Sequence, residues 1–82
     1  MDNKDLQLVR ETLGLTREAF AFLLDCSAVQ VFAMESGKRT ITPKYRAALL
    51  DVIRGREYRE RTARLSSIRE ELEREQRNGE LE

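Results

Sequence analysis

The 82-residue sequence contains no histidine and no tryptophan, and its only cysteine is Cys26. A single cysteine cannot form a disulfide within the chain, and a lone thiol is typical of the reducing cytosol. Without histidine, the usual zinc ligand sets and histidine-based catalytic triads are excluded. The sequence also lacks a glycine-rich phosphate loop and a paired nucleophile and base. We therefore expect no enzymatic activity, no cofactor and no metal site.

Long apolar runs are also missing. The longest unbroken run is the six residues 19–24, far short of the roughly 20 residues that a membrane-spanning helix needs. The first ten residues, MDNKDLQLVR, lack the apolar stretch of a secretory signal. The sequence therefore predicts a soluble, cytoplasmic protein that does not contact a membrane. A chain this short buries only about 60% of its unfolded surface, so a partner subunit is expected to stabilise it.

The formal net charge is zero, but the charges are unevenly distributed. Residues 44–64 carry seven basic and three acidic side chains, whereas residues 65–82 carry three basic and six acidic ones. A neutral chain is not expected to hold nucleic acid through bulk electrostatics alone. Any binding to nucleic acid must therefore use a local basic surface.

Capping residues and apolar spacing predict four helices in residues 1–55. The first covers residues 4–13, begins after Asn3 and stops at Gly14. The second covers residues 17–24 after Thr16, whose hydroxyl can accept a bond from a free backbone N–H. We expect their inner faces to hold the following apolar residues: Leu6, Val9, Leu13, Phe20, Ala21 and Leu24. Phe22 and Leu23 make the second helix apolar nearly all round, as extra core beneath the C-terminal segment or as part of a subunit interface.

The third helix, residues 28–35, follows a tight turn at Asp25 and Cys26. Asp tolerates a left-handed backbone better than most residues. Cys26 is either a buried small hydrophobe or, less favoured, a reactive thiol. Ser27 and Gln30 have the spacing of a capping box, and Gly37 marks the end of the helix. Val31 and Met34 are expected to face inward, which leaves Ala28, Val29, Phe32 and Ala33 mostly outward.

The fourth helix begins after Thr42 with Pro43 at its first position, where the missing N–H costs nothing. Ile41 is expected to enter the core, and Gly55 is expected to end the helix. The predicted inner face holds Ala48, Leu49, Val52 and Ile53.

Residues 56–77 are highly charged and favour a helix. Their apolar residues align at heptad-like positions: Tyr58, Leu65, Ile68 and Leu72. This segment is a helix that forms a dimer, a helix that covers the core, or a frayed, solvated tail. Residues 78–82 are expected to be disordered.

A set of residues in the second and third predicted helices resembles phage repressor and Cro-like (XRE-type) helix-turn-helix regulators. The residues that carry the resemblance are Leu15, Thr16, Phe20, Ala21, Leu24, Ser27, Val31, Glu35 and Gly37. The resemblance implies an all-α, compact four- to five-helix lambda-repressor-like DNA-binding domain in residues 1–55. Residues 56–77 then form a charged C-terminal helix, for dimerisation or core covering. The resemblance also implies a partly buried ion pair between Arg10 and Glu35.

In the family that the chain resembles, the third helix lies in the DNA major groove. The positions implied to face bases are Ser27, Ala28, Val29, Gln30, Phe32 and Ala33. The positions implied to contact phosphates are Arg17, Lys38, Arg39, Thr40 and Lys44. Candidates for a dimer interface are Phe22, Leu23, Tyr58, Leu65, Ile68 and Leu72. The base-facing set departs from the family pattern because apolar side chains replace most of the usual polar ones. Such side chains can contact thymine methyl groups but form no bidentate hydrogen bond.

Two functions fit these expectations. The first is a homodimeric, sequence-specific DNA-binding repressor or autoregulator that acts on an inverted-repeat operator. Similar short proteins occur in phages, plasmids, and antitoxin or anti-CRISPR-associated operons. The alternative keeps the helix-turn-helix fold but uses the apolar side chains of Val29, Phe32 and Phe22 to bind another protein.

Overall fold

The computed structural model describes residues 1–55 and 63–81 and contains five helices there. They are α1 (Asn3–Thr12), α2 (Arg17–Leu24), α3 (Ala28–Glu35), α4 (Pro43–Arg54) and α5 (Ala63–Leu81). This part of the chain has no strand, so the prediction of an all-α fold is confirmed. None of these helices combines the length and apolar character needed to cross a membrane.

Side-chain caps fix the starts of α2, α3 and α4 as the sequence predicts. The hydroxyl oxygens of Thr16, Ser27 and Thr42 accept bonds from the amides three residues ahead, at 3.1, 3.1 and 3.5 Å. At α1 the predicted cap, Asn3, is wrong, because Asp2 occupies that position. Asp2 accepts from the Asp5 amide at 2.9 Å, and Asp5 accepts from the Asp2 amide at 3.0 Å. Two reciprocal bonds favour Asp2 over its neighbour.

Asn3 has a different role. It is the first residue of α1, and its side-chain amide donates a 3.0 Å bond to the backbone carbonyl of Glu35 at the end of α3. Gly37, just beyond that end, has a φ of +81°, which a side chain would strain. Asn3 and Gly37 therefore both contribute to ending α3, Asn3 by bonding its last carbonyl and Gly37 by its left-handed backbone.

One core joins all five helices. Its buried apolar residues are Leu6, Val9, Phe20, Ala21, Leu24, Val31, Met34, Ile41, Leu49, Leu50, Ile53, Leu65, Ile68 and Leu72. The inner faces predicted for α2 and α3, and the position of Ile41, are confirmed. The predicted inner face of α4 is partly wrong, because Leu50 is buried while Ala48 and Val52 are only partly buried. α4 packs between α2 and α5, so residues on two of its sides are covered.

Helix α5 completes this core by packing against α4 and α1. Leu65, Ile68 and Leu72 are at most 2% exposed, so the core-covering alternative holds for them. Their role as dimer contacts stays a prediction, although these side chains are already covered by their own chain. Helix α5 extends to Leu81, into the segment for which disorder is predicted. Tyr58 and the other residues of 56–62, together with residue 82, lie outside the described residues.

Polar contacts fasten α5 to the N-terminal half. Arg64 donates to the Asp5 carboxylate, with a 3.1 Å bond from Nε, and Arg46 of α4 donates to Glu75 at 3.2 Å. Burial opposes the ionisation of Asp5, but hydrogen bonds from Arg64 and from the Asp2 amide, with the charge of Arg64, outweigh it. The pKa of Asp5 is therefore lowered. An ionised Asp5 stabilises the joint between α1 and α5.

Candidate nucleic-acid interface

Helices α2 and α3 are joined by a short turn at Asp25, Cys26 and Ser27. Asp25 has a left-handed backbone, with a φ of 58°, and the Cys26 amide donates a 3.0 Å bond back to the carbonyl of Ala21. Two short helices joined by so tight a turn are the arrangement that the predicted helix-turn-helix unit requires. The inner faces of α2 and α3 lie in the core. The surface that this unit presents to solvent therefore includes the outward side chains of α3, which follow Ser27.

Cys26 lies half-buried beside the core at this turn. Burial and the negative charge of Asp25 raise the pKa of its thiol, while the positive charges of Lys44 and Arg39 partly oppose the rise. A raised pKa keeps the thiol protonated, as expected of a small hydrophobe. The same effect shows that Arg39 and Lys44 lie near the α2–α3 turn.

Glu35, the last residue of α3, is 5% exposed and lies within a cluster of cations. Arg10 of α1 donates to its carboxylate through Nε at 2.7 Å and through Nη2 at 3.3 Å. Arg10 also donates to the carbonyl of Leu15 at 2.9 Å. The ion pair implied by the resemblance is thus present. It fixes the end of α3 to α1 and to the residue before the α2 cap.

Arg17 joins the same cluster, which the sequence did not predict. Its Nε donates to Glu35 at 3.3 Å, and its guanidinium lies over the ring of Phe32, 5.2 Å from the centroid. The Arg17 side chain is thus held between Glu35 and Phe32, and its role as a phosphate contact stays a prediction. Its side chain is 41% exposed, so part of the guanidinium still faces solvent. No local sequence signal links positions that lie on different helices.

Apolar side chains dominate the outer surface of α3. Val29 is 77% exposed and Phe32 is 49% exposed, while Ala28 and Ala33 are partly buried. With the start of α2, α3 borders a shallow depression lined by Arg10, Thr16, Arg17, Glu18, Ala28, Val29 and Phe32. The depression combines one half-exposed cation with an apolar wall.

The two polar residues at the start of α3 bond to each other. Gln30 donates its backbone amide hydrogen to the Ser27 hydroxyl at 3.1 Å, and its side-chain carbonyl accepts from the Ser27 amide at 2.9 Å. The predicted capping box is therefore present. Ser27 and Gln30 thus serve mainly to begin the helix, although both are among the positions expected to face bases.

A basic loop follows α3. The amides of Lys38 and Arg39 both donate to the carbonyl of Ala33, at 2.9 and 3.1 Å, which folds the loop back onto the end of the helix. The side chains of Lys38, Arg39 and Thr40 are exposed. Lys44 is exposed in the first turn of α4, with Nζ 5.6 Å from the centroid of the Tyr45 ring. Four of the five residues expected to contact phosphates thus lie exposed on this loop or just after it.

Phe22 and Leu23 do not form extra core. Phe22 is 84% exposed and Leu23 is 37% exposed, because α5 packs on α4 and α1 rather than covering α2. Leu23 lines a shallow groove between α2 and α4, with Ala48, Asp51, Val52 and Gly55. Of the two alternatives for Phe22 and Leu23, extra core or part of a subunit interface, their exposure favours the interface.

Comparison with known proteins found no matching family model, no matching curated protein and no matching solved structure. Within residues 1–55 and 63–81, no group of acidic or cysteine side chains is arranged to hold a metal ion.

Proposed function

We propose that the protein is a sequence-specific DNA-binding regulator that places α3 in the major groove of an operator. The observation that carries the proposal is the position of α3 within the fold. One face of the helix is anchored in the core through Val31, Met34 and Glu35, and the opposite face is exposed beside a basic loop.

The dimensions of α3 suit this role. An α-helix with its side chains is about 10–12 Å across, and the major groove is about 12 Å wide and admits a helix. The ion pair of Glu35 with Arg10 and the bond from Asn3 fix the far end of the helix. A rigidly held helix enters a groove with less loss of conformational freedom than a mobile one.

Local charges supply the electrostatic attraction that the neutral chain lacks overall. Lys38, Arg39 and Lys44 are exposed at the end of α3 and the start of α4, where they can contact phosphates on either side of the groove. Glu18 and Asp25 are also exposed on the helix-turn-helix unit and oppose this attraction. We therefore expect moderate affinity that falls steeply with salt concentration.

The regulator is proposed to act as a homodimer. Two copies of α3 about 34 Å apart would meet successive major grooves of an inverted repeat. Because α5 uses its apolar residues within its own chain, the groove at Leu23 is the proposed contact for the second copy. It combines apolar wall residues with an exposed carboxylate, Asp51, and Arg54 is exposed on the next turn of α4. Opposite charges on one surface are suited to a two-fold contact between identical chains.

Occupation of a promoter by this dimer would repress transcription, including that of its own gene. The test begins with selection of bound duplexes from a random-sequence library at low salt, followed by fluorescence anisotropy on an enriched duplex. We expect Arg39→Ala to weaken binding and Arg74→Ala to leave it unchanged, because Arg74 is an exposed cation on α5. Equal effects of the two variants, or no enrichment at any sequence, would contradict the proposal.

A second candidate function rests on the exposure of Phe22, Val29 and Phe32. Three large apolar side chains exposed on adjacent helices are also typical of a protein-binding surface. If no duplex is enriched while a partner protein co-purifies and is lost on Val29→Asp, the helix-turn-helix unit binds protein rather than DNA.

A further inference from the structure

We infer that α3 recognises its operator through the 5-methyl groups of thymine, with Val29 and Phe32 as the specificity-determining residues. This inference rests on the proposed function and names the chemistry that the same surface would read. In the major groove, thymine is distinguished by a methyl group, and the other base edges are distinguished by hydrogen-bond donors and acceptors.

The polar side chains of α3 are poorly placed to read the other edges. Recognition of adenine by an amide side chain needs both its carbonyl oxygen and its NH₂ group. The carbonyl oxygen of Gln30 already accepts from the Ser27 amide at 2.9 Å, and the Ser27 hydroxyl lies 3.4 Å from the same atom. Breaking these bonds would remove the reciprocal half of the capping box, although the Ser27 hydroxyl would still accept from the Gln30 backbone amide. The capping box therefore competes directly with base reading.

The exposed side chains of α3 are apolar, which suits contact with a methyl group. Val29 extends furthest, at 77% exposure, and Phe32 is one turn further along the helix on the same side. Neither side chain has a hydrogen-bonding group, so contact with a cytosine amino group or a guanine carbonyl would displace water from that group without replacing its hydrogen bond. Contact with a thymine methyl group buries apolar surface on both partners. The two residues thus favour thymine and disfavour G·C pairs that carry no 5-methyl group.

Phe32 is also held in place before any DNA arrives. The Arg17 guanidinium covers one face of its ring at 5.2 Å, and Arg17 is in turn bonded to the buried Glu35. A side chain that is already fixed loses less conformational entropy on binding. Arg17 is therefore a positioning residue for Phe32, and its charge lies where the groove would bring a phosphate close.

The experiment uses the full chain and an enriched duplex carrying a fluorescein label. Each thymine of one half-site is replaced in turn by deoxyuridine, which removes the methyl group and keeps the base-pairing atoms. We expect binding to weaken about fourfold for each methyl group contacted, from the free energy of burying one such group. Deoxyuridine in the flanking sequence is the control and should have no effect. Where a contacted T·A pair is replaced by C·G, 5-methylcytosine should bind more tightly than cytosine.

A variant of the protein assigns each methyl group to a side chain. Val29→Ala removes two methyl groups from an exposed position and should not affect folding, which circular dichroism checks. For one thymine, replacement by deoxyuridine should weaken binding of the unmodified chain but not of Val29→Ala. The effects of the two changes on affinity are then non-additive. Arg17→Gln should reduce the discrimination at the thymines that remain sensitive to deoxyuridine in Val29→Ala, while Arg17→Lys should keep part of the overall affinity.

The outcomes separate this inference from the function on which it rests. Sequence-specific binding that is unaffected by deoxyuridine at every position would overturn methyl recognition and leave DNA binding in place. Additive effects of deoxyuridine and Val29→Ala at every thymine would overturn the assignment to Val29. Absence of any sequence-specific DNA binding would overturn both the inference and the proposed function.

Discussion

Arg10 and Glu35 lie in two different helices, 25 positions apart, and form a two-bond ion pair, with Nε to Oε2 at 2.7 Å and Nη2 to Oε1 at 3.3 Å. The Glu35 side chain is 3% exposed and the Arg10 side chain 11%. Such a pair is costly to break on one side only, because the remaining charge stays buried without its main partner.

Arg10→Met should therefore lower the free energy of unfolding by about 3–5 kcal/mol, measured by urea denaturation. Arg17 alone would remain bonded to the Glu35 carboxylate. The control is Arg69→Met: the Nε of Arg69 lies 3.9 Å from Glu73 and its side chain is 39% exposed, so its loss should cost less than about 1 kcal/mol. The double variant Arg10→Met/Glu35→Met should recover part of the lost stability. An Arg10→Met cost as small as that of the control would contradict a structural role for the pair.

Ile68 provides a test of the role of α5. Because its side chain is fully buried against the core, Ile68→Ala should lower the free energy of unfolding by about 2–5 kcal/mol. Arg74→Ala, on the exposed side of the same helix, should have little effect. If Ile68→Ala instead lowered the mass in solution without changing the unfolding free energy, α5 would be a subunit interface.

The basic loop can be tested through the salt dependence of DNA binding. Removing one side chain that neutralises a phosphate should reduce the slope of log affinity against log salt concentration by about 0.9. Lys38→Ala and Arg39→Ala should each show this reduction, on random as well as enriched duplexes, because phosphate contacts do not carry sequence information. Anisotropy titrations between low and physiological salt provide the measurement. An unchanged slope in both variants would remove the loop from the interface.

Leu23→Glu tests the proposed contact between two copies. The change places a carboxylate beside Asp51 in the groove between α2 and α4, where a second copy would have to bury it. The mass measured by sedimentation or light scattering should fall toward that of a monomer. Val29→Glu, an equal change on α3, is the matched control and should leave the mass unchanged. A dimer that persists in Leu23→Glu would place the interface elsewhere.

The lowered pKa of Asp5 predicts how the stability of the fold depends on pH. Because its pKa is lowered in the folded chain, its contribution to stability is complete above its ordinary value of about 3.9. The contribution is lost as the pH falls through that value toward the lower folded-state pKa. The melting temperature of Asp5→Asn should therefore fall less than that of the unmodified chain between pH 6 and about pH 3. Glu70→Gln, at an exposed position of α5, should follow the unmodified chain.

The parts of the fold that the sequence predicted are those decided by local interactions. The caps at Thr16, Ser27 and Thr42 each bond to an amide three residues away, so the choice depends on a few neighbouring residues. At α1, two adjacent residues could both serve as caps, and the reciprocal bond to Asp5 selected Asp2.

The parts that the sequence could not predict depend on contacts between distant residues. The heptad-like spacing of Leu65, Ile68 and Leu72 requires an apolar partner but does not identify it, and the structure supplies α1 and α4 of the same chain. The two partners of Arg17, Glu35 and Phe32, lie on another helix, so no local pattern indicates them. Within the candidate site, the capping box of Ser27 and Gln30 was predictable from its spacing, whereas the bonds that occupy Arg17 were not.

The alternation of anchored and exposed positions along α3 has a consequence for engineering. Val31, Met34 and Glu35 hold the helix in place, while Val29 is 77% exposed and Phe32 is 49% exposed and lies against the Arg17 guanidinium. Sequence preference and fold stability are therefore set by different residues of one eight-residue helix. A library that randomises Val29 and Ala33, with the cap and the ion pair unchanged, could redirect the chain to new target sequences without redesigning its framework.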